Sequence, residues 1–217
     1  MNLRPYFGFL FYKYIDMKCF SLFYPIEFFY IIKMSVIINF FGGPGIGKST
    51  QSAELFTLMK KNHMDVELTF EYPKIVAWEE NYSTIKDQFF VTANQHRNIS
   101  RLYGKVKYII VDSPIILGTV YKDIYNDSPE YPATFYDDSF DYFIFKLFKK
   151  YNNLNIVLKR DDTTFNENGR FQNLDESKEI DEVIKDRLES HLIPYVEFSV
   201  GKNTAESIFS YILTNQL

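Results

Sequence analysis

Gly42-Gly43-Pro44-Gly45-Ile46-Gly47-Lys48-Ser49-Thr50 lies between the apolar run Val36–Phe41 and the stretch Ser49–Asn62, and its reading decides the fold. The first eight residues satisfy G-x-x-x-x-G-K-[ST], and they stand where that pattern has a mechanism, after a strand and at the opening of a helix. Glycines let the backbone wrap a phosphate chain with its N–H groups turned inward, and a helix N-terminus adds a dipole that favours negative charge. In such a loop Lys48 reaches the β- and γ-phosphates and Ser49 ligates a magnesium ion. With glycine at ~7% of residues, the four fixed positions arise by chance only about once in a hundred chains of this size, so a plain Gly/Pro turn is a poor alternative.

Outward from the loop, short apolar strands alternate with helical stretches, which predicts an α/β domain with a parallel sheet. Val36–Phe41 is apolar except for Asn39, as a strand buried on both faces would be. Ser49–Asn62 is helical, with Ala53, Leu55, Phe56, Leu58 and Met59 on its apolar side. Further strands are expected at Val66–Phe70, Lys107–Val111, Asn155–Lys159 and Tyr195–Val200. Helices are expected from about Ile75 to Tyr103, with a break near Asn81–Ser83, and at Ser139–Tyr151, Leu174–His191 and Thr204–Thr214.

Before Met34 the text changes character. Of the 40 aromatic residues in the chain, 12 fall within the first 33 positions. Pro5 and Pro25 interrupt any helix there. Arg4, Lys13, Asp16, Lys18, Glu27 and Lys33 break each apolar run well short of the ~18 to 20 residues a membrane span needs. A secretory signal is a poor reading too, since no small-residue cleavage site follows a compact apolar stretch. Residues 1–33 are therefore read as an extension, with Met34 as the functional start and 34–217 as the domain. A membrane-surface or partner-binding arm is the competing reading.

The composition narrows the class. With 28 acidic against 24 basic residues the formal charge is −4, so there is no general basic field for a nucleic-acid partner. The single cysteine, Cys19, can form no internal disulfide. That fits a reducing interior, the cytoplasm of a cell or, for a viral chain, of its host. His63, His96 and His191 are scattered without metal-ligand spacing. The phosphate loop says nucleotide and leaves the reaction open. No Asn-Lys-x-Asp motif reads a guanine, and the third strand ends Ile109-Ile110-Val111-Asp112-Ser113-Pro114 with one carboxylate, where motor-type ATPases carry Asp-Glu.

Four features in this order resemble the P-loop nucleoside and nucleotide kinases, and most of all the nicotinamide-riboside-kinase-like AAA group. They are the phosphate loop, Phe70-Glu71-Tyr72-Pro73, the stretch Gln88–Gln95, and Asp112-Ser113-Pro114. The resemblance implies a five-stranded parallel sheet in the order 2-3-1-4-5 flanked by helices, a substrate pocket over the strand ends, and a short lid. It also implies ATP and Mg2+ as cofactors and a small hydroxyl- or phosphate-bearing acceptor, nucleoside- or nucleotide-like. Glu71 matches the acidic residue that orients or deprotonates the acceptor hydroxyl, and Asp112 the third-strand carboxylate that binds magnesium through water or shares the base role. Gln95 matches a glutamine that contacts the acceptor's base or ring, and an amide suits this because it donates and accepts at once. Arg97 and Arg101, i and i+4, could bind an acceptor phosphate or form a solvated face. Trp78 and Tyr82 are candidate stacking surfaces, with core packing as the alternative. The segment Lys159–Arg170 resembles the lid, with Arg160 by the adenine or α-phosphate and Arg170 by the transferring phosphoryl group; arginine's planar fork binds phosphate bidentately. One departure stands out: Asp112-Ser113-Pro114 lacks the arginine that deoxynucleoside and thymidylate kinases carry just after this carboxylate. A regulatory nucleotide-binding ATPase that acts through a protein partner is the rival class.

Overall fold

Strand β1 (Val36–Phe41) forms the centre of the sheet, and none of its six residues reaches the surface. Alternate side chains leave on opposite faces, so Phe40 and Phe41, both 0% exposed, anchor two different cores. Each such burial contributes about 1.5–3 kcal/mol. The computed structural model describes residues 34–125, 138–160 and 173–217.

Helix α1 (Lys48–Lys61) follows β1, then β2 (Val66–Thr69), α2 (Tyr72–Trp78), α3 (Tyr82–Lys86), α4 (Gln88–Ser100) and β3 (Tyr108–Val111). Then come α5 (Leu117–Tyr125), α6 (Asp138–Phe148), β4 (Asn152–Lys159), α7 (Leu174–Ser190), β5 (Val196–Ser199) and α8 (Thr204–Thr214). The sheet order is β2-β3-β1-β4-β5 with every pair parallel, as the resemblance implies. Val36 lies opposite Tyr108 on one side and Asn152 on the other. Helices α1 and α8 cover one face through Leu55, Met59, Ile208 and Ile212. Helices α4 to α7 cover the other through Ile99, Val120, Phe140, Ile144, Ile184 and Leu188. Among the described residues no helix is long and apolar enough to cross a membrane.

The long helical region expected from Ile75 to Tyr103 is three helices, beginning earlier, at Tyr72. Asn81 and Asp87 make the two breaks: each accepts a backbone N–H of the next helix, from Thr84 and Phe90 respectively, the capping chemistry these side chains favour. Strand β4 begins at Asn152, three residues before the expected start. Its polar opening reads as a turn, yet Asn153 and Asn155 both accept from Asn39 Nδ2 at 3.0 Å. The one polar residue of β1 is thereby satisfied inside the sheet, as a buried amide must be.

Helix α5 has no counterpart in the sequence reading. Gly118 and the β-branched Thr119 and Val120 lower its intrinsic propensity, and packing supplies the difference. A Cβ on Gly118 would stand 2.2 Å from Thr92 Oγ1, so the glycine is what lets α5 lie against α4. One turn further along, Lys122 reaches Asp141 of α6 at 3.2 Å, and Arg187 of α7 holds the same carboxylate at 2.8 Å.

Candidate active site

All strands of a parallel sheet point one way, so their C-terminal ends open on a common edge, where ligands of open α/β sheets bind. Here β1 delivers the phosphate loop, β2 delivers Glu71, and β3 delivers Asp112 and Ser113. Along this edge runs a cleft of about 920 Å³. Pro44, Gly45, Gly47, Lys48, Ser49 and Thr50 line its phosphate-loop end. Glu71, Lys74, Trp78, Gln88, Thr92 and Gln95 also line it, together with Tyr121 and Tyr125 of α5. Gly42, Gly43 and Ile46 are buried beneath it.

Lys48 is 8% exposed, and its ammonium folds back to donate to the carbonyls of Gly42 at 2.7 Å and Gly43 at 3.0 Å. Asp112 is 3% exposed, just under the cleft surface, with a hydrogen bond to Ser49. Its Oδ1 is buried without a hydrogen-bond partner. Burial pushes the Asp112 carboxyl above its ordinary 3.8, while the Ser49 bond and the charges of Lys48 and Lys74 pull the other way. An orphaned carboxylate oxygen beside a serine hydroxyl and a phosphate loop is a hard-oxygen donor set of the kind that suits magnesium, so the residues present fit that ion.

Glu71 is half-buried at the N-cap of α2. It lies near Tyr121, whose phenol is pushed far above its ordinary 10 first by burial and then by the Glu71 charge. Gln95 lines the cleft but is also braced: Oε1 accepts from the Tyr72 N–H at 3.2 Å and Nε2 donates to the Ser113 carbonyl at 3.1 Å. It therefore ties the residue after Glu71 to the residue after Asp112. Trp78 stands at the cleft mouth, 80% exposed, so it is not the core residue that an aromatic-rich chain would favour. Of Tyr82 only the backbone, in α3, is described.

The arginines depart from expectation. Arg97 is exposed and does not line the cleft. Gln95 faces inward, and two residues further along a helix the side chain points roughly the opposite way. Arg101, also exposed, is already past the end of α4. Arg160 is expected beside the adenine or α-phosphate, but its guanidinium turns to Asp181 of α7 and the Pro44 carbonyl instead. Arg170, like Cys19 and the aromatic segment 1–33, lies outside the described residues. Sequence reasoning missed Tyr121 and Tyr125 because they ride on α5; their rings stack at 6.0 Å, one helical turn apart. It also missed Lys74, whose signal was its place three residues after Glu71.

A family model described as an AAA domain matches residues 37–205 of this chain. Over 101 residues, 42% of the chain, the sequence is 32% identical to a thymidylate kinase of Dehalococcoides mccartyi. That stretch is 47% of the relative, so the chain spans about half the length of the curated protein it matches. Among solved structures, NadR in complex with NR has a TM-score of 0.58 at 15% identity, covering 86% of this chain and 54% of that one. Deoxyadenosine kinase from M. mycoides with bound dCTP has a TM-score of 0.53 at 17% identity, covering 83% and 98%. Thymidylate kinase from Ehrlichia chaffeensis has 0.53 at 15% identity, covering 85% and 100%. With the phosphate loop at the end of the central strand and the strand order 2-3-1-4-5, the chain belongs to the AAA domain family and has the fold of the P-loop kinases.

Proposed function

We propose that the chain transfers the γ-phosphoryl group of ATP to a hydroxyl of a small, nucleoside-like acceptor. The observation that carries this reading is the convergence of the phosphate loop, Asp112 and Glu71 at one end of the sheet around a single cleft. In the order β2-β3-β1 both carboxylates lie on one side of the phosphate loop, Asp112 after the adjoining strand and Glu71 one strand further out, so the nearer can serve the metal and the farther the acceptor. The thymidylate kinase relative and the deoxyadenosine kinase neighbour support the acceptor class.

In this reading the loop from Gly42 to Thr50 cradles the phosphates, and Lys48 leaves the carbonyls of Gly42 and Gly43 for the β- and γ-oxygens. Ser49 and Asp112 would hold Mg2+, which when bound neutralises charge on the phosphates. Glu71 orients the acceptor hydroxyl and takes its proton as the oxygen attacks phosphorus. Gln95, Gln88, Trp78 and Tyr121 surround the acceptor, Gln95 through what its two brace bonds leave over.

The test is a screen of nucleosides, nucleoside monophosphates and nicotinamide riboside with terminally labelled ATP. A kinase keeps water from the γ-phosphate until its acceptor is in place. ATP consumption is therefore expected to be slow alone and to rise by orders of magnitude with the right acceptor, with the label recovered on it. Lys48→Ala should abolish both binding and turnover. Brisk hydrolysis that no acceptor accelerates would replace this reading with that of a regulatory ATPase.

A further inference from the structure

Gly43 occupies a position where the phosphate-loop pattern asks for no particular residue, yet the structure permits nothing larger. A Cβ there would stand 2.5 Å from the Ser177 carbonyl oxygen and 2.9 Å from Asp181 Oδ1, both on helix α7. The demand for glycine at this point comes from α7, not from a phosphate.

What α7 does at this close approach is specific. The Gly43 N–H donates to Asp181 Oδ1. Asp181 Oδ2 accepts from Arg160 Nε at 2.5 Å. Arg160 Nη2 then donates to the Pro44 carbonyl at 2.7 Å, which closes a ring of bonds through Gly43, Pro44, Arg160 and Asp181. A weaker bond from Nη2 to the Ser177 carbonyl, 3.4 Å, ties the same guanidinium to α7. The two side chains are only 11% and 12% exposed, so water does little to screen the pair. Inside the loop, Lys48 holds the carbonyls of Gly42 and Gly43. The Gly42–Pro44 segment is thus gripped from both sides, and its outer grip is a carboxylate on a different element.

We propose that Asp181 is a positioning residue of the nucleotide site. It fixes the entry half of the phosphate loop from α7, and Arg160, which it orients onto the Pro44 carbonyl, acts with it on the loop and not on the nucleotide. This rests on the phosphate loop being the ATP site. A loop already held in its binding geometry avoids the ordering cost that nucleotide would otherwise meet. Since the loop's N–H groups serve ground state and transition state alike, loosening it raises KM with kcat far less affected.

The experiment measures ATP affinity by calorimetry, with KM, kcat and thermal midpoint, for wild type, Asp181→Ala, Asp181→Asn, Arg160→Ala and the double variant Arg160→Ala/Asp181→Ala. Loss of a charge-assisted bond on each side of the ring predicts that Asp181→Ala and Arg160→Ala each weaken ATP about tenfold. Asp181→Asn keeps an oxygen for the Gly43 N–H and should recover part of that loss. The double variant should bind ATP no worse than Asp181→Ala alone, because residues that act as one unit do not add. Should Asp181→Ala fail to fold, Asp181→Asn and Arg160→Ala carry the comparison, and losses in both that leave the midpoint in place support the proposal. Wild-type affinity in the Asp181 variants, or losses that multiply in the double variant, would overturn it. A wild-type chain that binds no ATP would instead bring down the reading of the site itself.

Discussion

Asp112 is the residue at which stability and activity are expected to pull apart, and Asp112→Asn makes the separation measurable. The carboxylate is 3% exposed with one oxygen unpartnered. Such an orphaned buried oxygen costs about 1–3 kcal/mol, and the Ser49 bond with the charges of Lys48 and Lys74 returns part of it. The carboxyl still lies above its ordinary 3.8, so burial wins and the ionised side chain weighs against the nucleotide-free fold. Removing that charge should stabilise the empty protein by about 1 kcal/mol, or about 2–4 °C in a domain of this size. The sign with pH follows from the raised value: the folded protein takes up the Asp112 proton before the unfolded chain does. Wild type therefore gains relative stability as pH falls from neutrality through the folded value. The gain levels off below 3.8, and the gap to the variant should close across that window. Thermal melts in EDTA from pH 7 to pH 3 check this, and melts with Mg-ATP should invert the order. On the proposed role of Asp112 as a metal ligand, wild type should gain about 2.7 kcal/mol at a hundredfold excess over Kd and the variant far less. A variant less stable than wild type when empty at pH 7, or a gap indifferent to acid, would refute the account of Asp112 as a desolvated ligand waiting for an ion.

Glu71→Gln keeps the shape and hydrogen-bonding reach of the side chain but removes the charge that steers a hydroxyl proton. It should lower kcat about 10²- to 10⁴-fold with ATP affinity nearly unchanged; label-transfer rates beside calorimetry decide, and an untouched turnover would remove Glu71 from the chemistry. We also propose that residues 1–33 are an extension to the domain that starts at Met34. A chain beginning there is expected to melt at the same midpoint and bind nucleotide equally well, and loss of folding on truncation would move the aromatic segment into the core.

The phosphate loop and the succession of strands and helices were legible in the amino-acid order because both are local. A glycine-rich turn between an apolar strand and a helix is specified within about ten residues, and burial on both faces shows in the text of Val36–Phe41, apolar except for Asn39. Glu71 and Asp112 were reachable for a related reason. Each directly follows or closely trails its strand, so a parallel sheet brings them to one edge whatever the side chains do next. Partnerships across the sequence were not legible. Asn39 finds Asn153 and Asn155 more than a hundred positions away, and Gly43 finds Asp181 at a separation of 138. Arg160, whose sequence neighbourhood points to a phosphate, is drawn by a carboxylate 21 residues on that only the packing of α7 brings within reach. Likewise Arg97 and Gln95 share one helix and the same polar character in the text, and the side that α4 turns to the cleft separates them. Helix α5, weak in local propensity, exists because a glycine lets it press on Thr92 and because Lys122 meets Asp141. Local backbone preferences are written residue by residue, whereas the partner of a buried charge or amide is chosen by whichever group the folded core leaves beside it.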